Sequence, residues 1–157
     1  MPELSTKLDS QQIELFGRHR VIESMAKDGI EIAMPLRDRG VDFVAYDDQT
    51  TYLACPVQLK IATNESFSIH DKYAAAARLM MCYVWNIHDA RAMAIYAMSW
   101  REALGVADAM EWTKTKSWTD NKSYSTSAPS KKLKGLIEPF RVRPGGWKSI
   151  IQRVATG

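Results

Sequence analysis

The period of apolar and polar positions changes several times along this chain, and each change predicts an element. Residues 11–28 carry apolar side chains at helical spacing, with Asp9 and Ser10 placed to cap and Gly29 placed to stop. At 100° per residue, Leu15, Val21, Ile22, Met25 and Ala26 fall on one broad face. Glu14 and Arg18 lie inside that apolar sector, four apart, and so can pair with each other. Residues 30–34 predict a short strand and residues 35–40 (PLRDRG) a loop. Residues 41–46 are rich in β-branched and aromatic side chains, 47–50 (DDQT) have turn chemistry, and 51–60 run apolar again. That is a hairpin. In its second strand, period two sets Leu53, Cys55, Val57 and Leu59 on one face, with Tyr52, Ala54, Pro56, Gln58 and Lys60 on the other. In its first strand Asp42 falls on the side opposite Val41, Phe43 and Ala45.

Beyond the hairpin, residues 62–68 predict a polar connection. A second helix is expected over 72–80, opened by His70 or Asp71, with an alanine run at 74–77 that allows close packing. Residues 81–87 (MCYVWNI) form an unbroken apolar run, as a strand covered on both faces requires. A turn at 86–90, a strand at 91–100 and a helix at 101–110 follow. The series is helix, three strands, helix, strand, strand, helix. After residue 110 the pattern loosens. WTKTKSW at 112–118 alternates indoles with Lys114 and Lys116. It reads as an edge strand with tryptophans inward, or as a surface whose indoles stack on bases while ammonium groups hold the backbone. A short helix is expected over 133–140. PGG at 144–146 then precedes an amphipathic turn at 147–154, which either packs on the core or supplies a dimer surface.

Pairing the hairpin strands brings Asp42 near Gln58 and Lys60. A carboxylate, an amide oxygen and an ammonium group at the end of a sheet suit a divalent metal with a positioned cation. Asp42, followed after fifteen residues by Gln58-Leu59-Lys60, resembles the motif of the PD-(D/E)XK nuclease superfamily, the fold shared by type II restriction enzymes and archaeal Holliday-junction resolvases. Val41 stands where that motif has proline, and Gln58 stands where it has a second acid, keeping an oxygen but dropping a charge. The resemblance implies that some branches, certain homing endonucleases among them, keep Gln there and still cleave. The order of elements over residues 10–110 also matches the family's αβββαβ core.

The resemblance implies an α/β protein of restriction endonuclease-like fold: a mixed central sheet flanked by helices, here followed by a basic C-terminal extension. It implies a Mg²⁺-dependent, or Mn²⁺-dependent, DNA endonuclease. Asp42, Gln58, the main-chain carbonyl of Leu59 and Glu14 would be its metal ligands. Lys60 would orient or deprotonate the attacking water, or stabilise charge on phosphorus. Glu14 enters because the family's first helix often contributes an acidic ligand; Arg18 sits nearer the usual position of that acid. Enzymes of this fold that cut duplexes commonly act as dimers, so a homodimer is implied. Gln58 also feeds a second reading, a non-catalytic nucleic-acid-binding module that keeps the fold. An RNA-cleaving enzyme would use the same site.

Composition narrows the rest. At 157 residues, 46% hydrophobic and 25% charged, the chain reads as one globular domain. No apolar run approaches the ~20 residues that span a bilayer, and the first residues (MPELSTKLDSQQ) lack the regions of a secretory signal. Cys55 and Cys82 lie in apolar runs, which points to buried reduced thiols and a cytoplasmic protein. Net charge is +3, yet residues 101–157 hold eleven Lys/Arg against five Asp/Glu. Such a balance attracts a phosphate backbone, though it also serves solubility. Arg37 and Arg39 in the loop before Asp42, Lys72 and Tyr73 at the start of the second helix, and Lys114 and Lys116 are the candidate nucleic-acid contacts. His19, His70 and His88 are scattered, with no zinc spacing. No glycine-rich phosphate loop, CxxC pair or nucleophile elbow is present.

Overall fold

The strands are Glu31–Ala33 (β1), Phe43–Tyr46 (β2), Ala54–Ile61 (β3), Phe67–His70 (β4), Met80–Trp85 (β5), Ala94–Ser99 (β6) and Ser123–Thr126 (β7). The computed structural model describes residues 7–37, 39–76 and 78–157. Five strands form one mixed sheet in the order β1-β2-β3-β5-β6; only β3 and β5 are parallel. β4 and β7 form a separate antiparallel ribbon. The helices are Ser10–Lys27 (α1), Trp100–Ala109 (α2), Lys116–Asn121 (α3), Lys131–Ile137 (α4) and Trp147–Thr156 (α5). Two apolar clusters divide the molecule into layers. One joins Val21 and Met25 of α1 and Trp147, Ile150 and Ile151 of α5 to the sheet. The other joins α2, α4 and the ribbon to the opposite face through Ala103, Ile137, Phe67 and Tyr83. β5 and β6, covered on both faces, are buried at every position. Among the described residues no helix is long and apolar enough to cross a membrane.

Helix α1 begins where the sequence places it. Asp9 accepts the Gln12 N–H at 2.8 Å, and the Gln12 side chain takes the Asp9 N–H at 2.9 Å, a reciprocal cap. Its buried line differs from expectation. Leu15 is 54% exposed and Ala26 is also exposed, while Gly17, Val21 and Met25 are buried. The cause is Gly17, where a Cβ would stand 2.5 Å from the Ile61 side chain. The helix comes closest to β3 there, and the contact line follows residues 17, 21 and 25.

The β2–β3 turn is held by one carboxylate. Asp47, 1% exposed, accepts the N–H groups of Gln49, Thr50 and Thr51 and the Thr51 hydroxyl. Tyr52 follows in a left-handed conformation (φ 55°), so β3 starts later than the expected residue 51. Burial pushes the Asp47 carboxyl up, but its hydrogen bonds outweigh that and bring it from an ordinary 3.8 down to about 2. A depressed folded-state value means stability present above pH ~4 and lost as pH falls through ~2. Unfolding midpoints measured from pH 5 to pH 2 should therefore drop more steeply for the wild type than for Asp47→Asn. Equal slopes would show the turn carboxylate to be irrelevant to acid unfolding.

Three expectations fail. The connection 62–68 contains the start of β4, and the predicted helix over 72–80 is a 3-10 helix, Asp71–Ala76, after which β5 already begins at Met80. Phe67 and Ile69 point inward with Ser68 and His70 between and after them, a period of two too short to stand out. Ala77, in the alanine run, lies outside the described residues. The segment 112–118 is not an edge strand: a 3-10 turn at Trp112–Lys114 leads into α3, which Thr115 caps by accepting the Trp118 N–H. Trp112 is buried and stacks on Tyr124 with ring centres 4.3 Å apart. Of the two alternatives for the terminal helix, packing on the core is observed. Cys55 and Cys82 are free and buried, and burial pushes the Cys55 thiol up to about 11.

Candidate functional site

β3 is eight residues long, but β2 pairs only with its first half. The last register pair is Phe43 with Val57, so residues 58–61 keep β5 on one side and, among the described residues, no strand on the other. A strand edge left this way presents main-chain groups that need partners. Asp42 extends the ladder by one bond, its N–H donating to the Val57 carbonyl at 2.8 Å. Its carboxylate then takes the place of a strand. Oδ2 accepts the Leu59 N–H at 2.7 Å, while the Leu59 carbonyl accepts Gln58 Nε2 at 3.2 Å. Asp42 and Gln58 thus converge on the amide and carbonyl of one residue.

The remaining Asp42 oxygen faces α1. Oδ1 lies 3.3 Å from Arg18 Nη2, and the same nitrogen lies 3.7 Å from Glu14 Oε1. The Asp42 side chain is 7% exposed and that of Glu14 is 58% exposed. Arg18 Nε is buried and, among the described residues, has no acceptor. Lys60 points to the other layer, with Nζ 5.6 Å from the centre of the Tyr73 ring, and Lys72 Nζ lies 5.0 Å from the same ring. Among the described residues no carboxylate pairs with Lys60.

The expected alternation across residues 41–43 does not hold. Val41 packs against the cluster that contains Tyr73, whereas Phe43 and Ala45 belong to the cluster under α1. Asp42 therefore meets α1 while Lys60 meets the opposite layer. In a closed sheet the two would be walled apart. Here the edge is open, and a groove of about 670 Å³ runs along it, lined by Glu14, Gln58, Leu59, Lys60, Glu65 and Ser127 among others. Asp42 and Arg18 lie outside that lining; Asp42 adjoins it through Leu59 and Arg18 through Glu14. Lys60 also lines a smaller cavity of about 130 Å³ with His70, Lys72, Tyr73 and Ser125.

No protein-family model, curated protein or solved structure matches this chain.

The other expected contacts are dispersed. Arg37 and Arg39 are exposed in the loop before Asp42; Asp38 between them lies outside the described residues. Gly40 in that loop has φ +82°, and a Cβ there would stand 3.5 Å from Tyr73 and 4.0 Å from Gln58 Oε1. The left-handed turn and the close approach both call for glycine, and they hold the loop against the site. Tyr73 is buried under the two lysines, which leaves it little face for a base. Lys114 pairs with Glu111 at 3.1 Å, and Lys116 is exposed at the start of α3; neither lines the groove.

The donor chemistry suits a hard divalent cation: Asp42, Glu14, Gln58 and the Leu59 carbonyl are all oxygen donors. Three features qualify the fit. Among the described residues no three His, Cys, Asp or Glu side chains cluster for a metal. The guanidinium of Arg18 stands between the two carboxylates, and Gln58 turns Nε2, not Oε1, toward Leu59. Binding a cation at Leu59 calls for the amide to turn over and the guanidinium to move. Arg18 is the residue whose place in the site sequence reasoning missed. Its spacing from Glu14 was legible, but its reach to Asp42 depends on how α1 crosses β3.

Proposed function

We propose that this chain is a DNA endonuclease of restriction endonuclease-like fold, a Mg²⁺- or Mn²⁺-dependent phosphodiester hydrolase. The observation that carries the proposal is the convergence of Asp42 and Gln58 on Leu59 at an unpaired strand edge, beside a groove that Glu14 and Lys60 also line. The strand order, with one parallel pair between two antiparallel flanks, supports the fold assignment. When bound, the divalent ion supplies charge stabilisation on the phosphate and a lowered pKa for water. Asp42, Glu14 and the neutral oxygens of Gln58 and Leu59 would hold it. Lys60, on the groove wall and without a carboxylate partner among the described residues, meets phosphate oxygens and stabilises the negative charge that develops on them. Lys72 adds positive charge beside it, and Arg37 and Arg39 face the backbone of an approaching duplex. Enzymes of the resembled fold that cut duplexes commonly act as dimers, and on that resemblance the proposed working form is a homodimer.

A second reading, a nucleic-acid-binding module without cleavage, is favoured by one observation: Arg18 already neutralises Asp42. Plasmid cleavage with Mg²⁺, Mn²⁺ or EDTA separates the two. The nuclease reading expects nicking that needs the metal and falls by roughly a hundredfold or more in Asp42→Ala. Binding that persists in EDTA, with no cleavage under either metal, selects the module. Metal-independent cleavage, or cleavage unchanged in Asp42→Ala, removes Asp42 as a ligand.

A further inference from the structure

We infer that Arg18 is a built-in competitor for the cation position: its guanidinium and a divalent ion hold Asp42 and Glu14 by turns, and a substrate phosphate draws the guanidinium out. This rests on the metal-dependent reading above. The contacts themselves carry the inference. Charge-assisted N–H···O bonds run at about 2.7–2.9 Å, and Asp42 makes one of that length to Leu59, at 2.7 Å. Its bond to Arg18 is 3.3 Å, and Glu14 is 3.7 Å away. Both carboxylates use the same nitrogen, Nη2, so the paired fork that makes arginine a strong partner is not formed. Nε, the other arm of that fork, is buried without an acceptor among the described residues.

Arg18 is thus held loosely in a place it does not fully satisfy. A phosphate oxygen pair matches the Nε–Nη2 fork, so outward movement toward a phosphodiester supplies the missing acceptor. The arginine side chain is 26% exposed, so its way out is not closed. Once it has moved, Asp42 and Glu14 present two negative charges with no cation between them. A guanidinium and a dication cannot share that position, because like charges a few ångströms apart repel strongly at a part-buried site. Phosphate and metal then assist each other's binding, each favouring the state with Arg18 withdrawn.

The test is calorimetric titration of Mn²⁺ into the wild type, Arg18→Met, Arg18→Gln and Arg18→Lys, with thermal melts confirming that each is folded. Arg18→Met and Arg18→Gln should bind Mn²⁺ roughly ten- to a hundredfold more tightly than the wild type. Arg18→Lys, which keeps the charge, should stay close to it. Adding Asp42→Asn should abolish the gain. If wild type and variants bind equally, and Asp42→Asn abolishes binding in all, the competition is overturned while the metal site stands. If no variant binds Mn²⁺, the metal reading falls and this inference falls with it. Arg18→Gln keeps a polar side chain at the site, so the comparison survives should Arg18→Met fail to fold.

Discussion

Trp147→Ala will destabilise the protein by about 3–5 kcal/mol, the cost of emptying a large aromatic from a core. Trp147 is 0% exposed and heads the largest fully buried side chains. It also ties two distant parts of the chain. Its indole N–H donates to the Ser24 hydroxyl at 2.8 Å, and its main-chain N–H donates to Asp28 Oδ2 at 3.0 Å. The other Asp28 oxygen takes the Gly145 N–H at 3.0 Å, so the C-terminal end of α1 clamps the start of α5. The substitution removes packing on Val21 and Met25 and leaves the Ser24 hydroxyl without that donor. Urea unfolding followed by far-UV circular dichroism measures the change. A loss under about 1 kcal/mol would mean that α5 is an appendage, contrary to its place in the core. Because α1 carries Glu14 and Arg18, the same variant should also loosen the site and, on the proposed nuclease reading, lower cleavage even where the protein remains folded.

The sequence made the sheet legible and hid what covers one of its faces. Strands β2, β3, β5 and β6 were readable because each is a run of β-branched, aromatic or continuously apolar residues between turn residues. Asp47 and the residues after it announce their turn directly. β4 was hidden because its four residues pair with β7, far along the chain, and neither has a run long enough to register alone. The mistaken helix over 72–80 followed from this: alanines favour helix locally, yet Tyr73 is pulled under Lys60 and Lys72 and β5 claims Met80. The line that α1 buries was misjudged for a related reason. Leu15 looked like core and Gly17 like nothing, whereas the close approach to Ile61 makes the glycine the contact point.

The site was legible as residue types and spacing but not as geometry. Asp42, Gln58 and Lys60 were expected on one face of a hairpin. Simple alternation cannot foresee that β2 ends at the pair Phe43–Val57, leaving the second half of β3 open. That ending lets a residue turned toward α1 and a residue turned toward Tyr73 adjoin the same groove. The open edge, more than shared facing, is what relates Asp42 to Lys60.

That geometry gives Lys60 its own signature. On the proposed nuclease reading, Lys60→Ala should lower kcat by roughly 10²–10⁴-fold, the range for losing a group that moves a proton or stabilises transition-state charge. The fold should barely notice, since the ammonium lies over Tyr73 as a cation–π contact worth about 0.5–1 kcal/mol at such a site. Lys72 is the internal control, because it lies over the same ring and lines the small cavity but not the main groove. Lys72→Ala should weaken DNA binding and its salt dependence while leaving kcat within a few-fold. Single-turnover cleavage with saturating enzyme separates the two effects, since it removes binding from the measured rate. If Lys60→Ala and Lys72→Ala behave alike, with binding weakened and the single-turnover rate kept, Lys60 is a second phosphate anchor and takes no part in the chemical step.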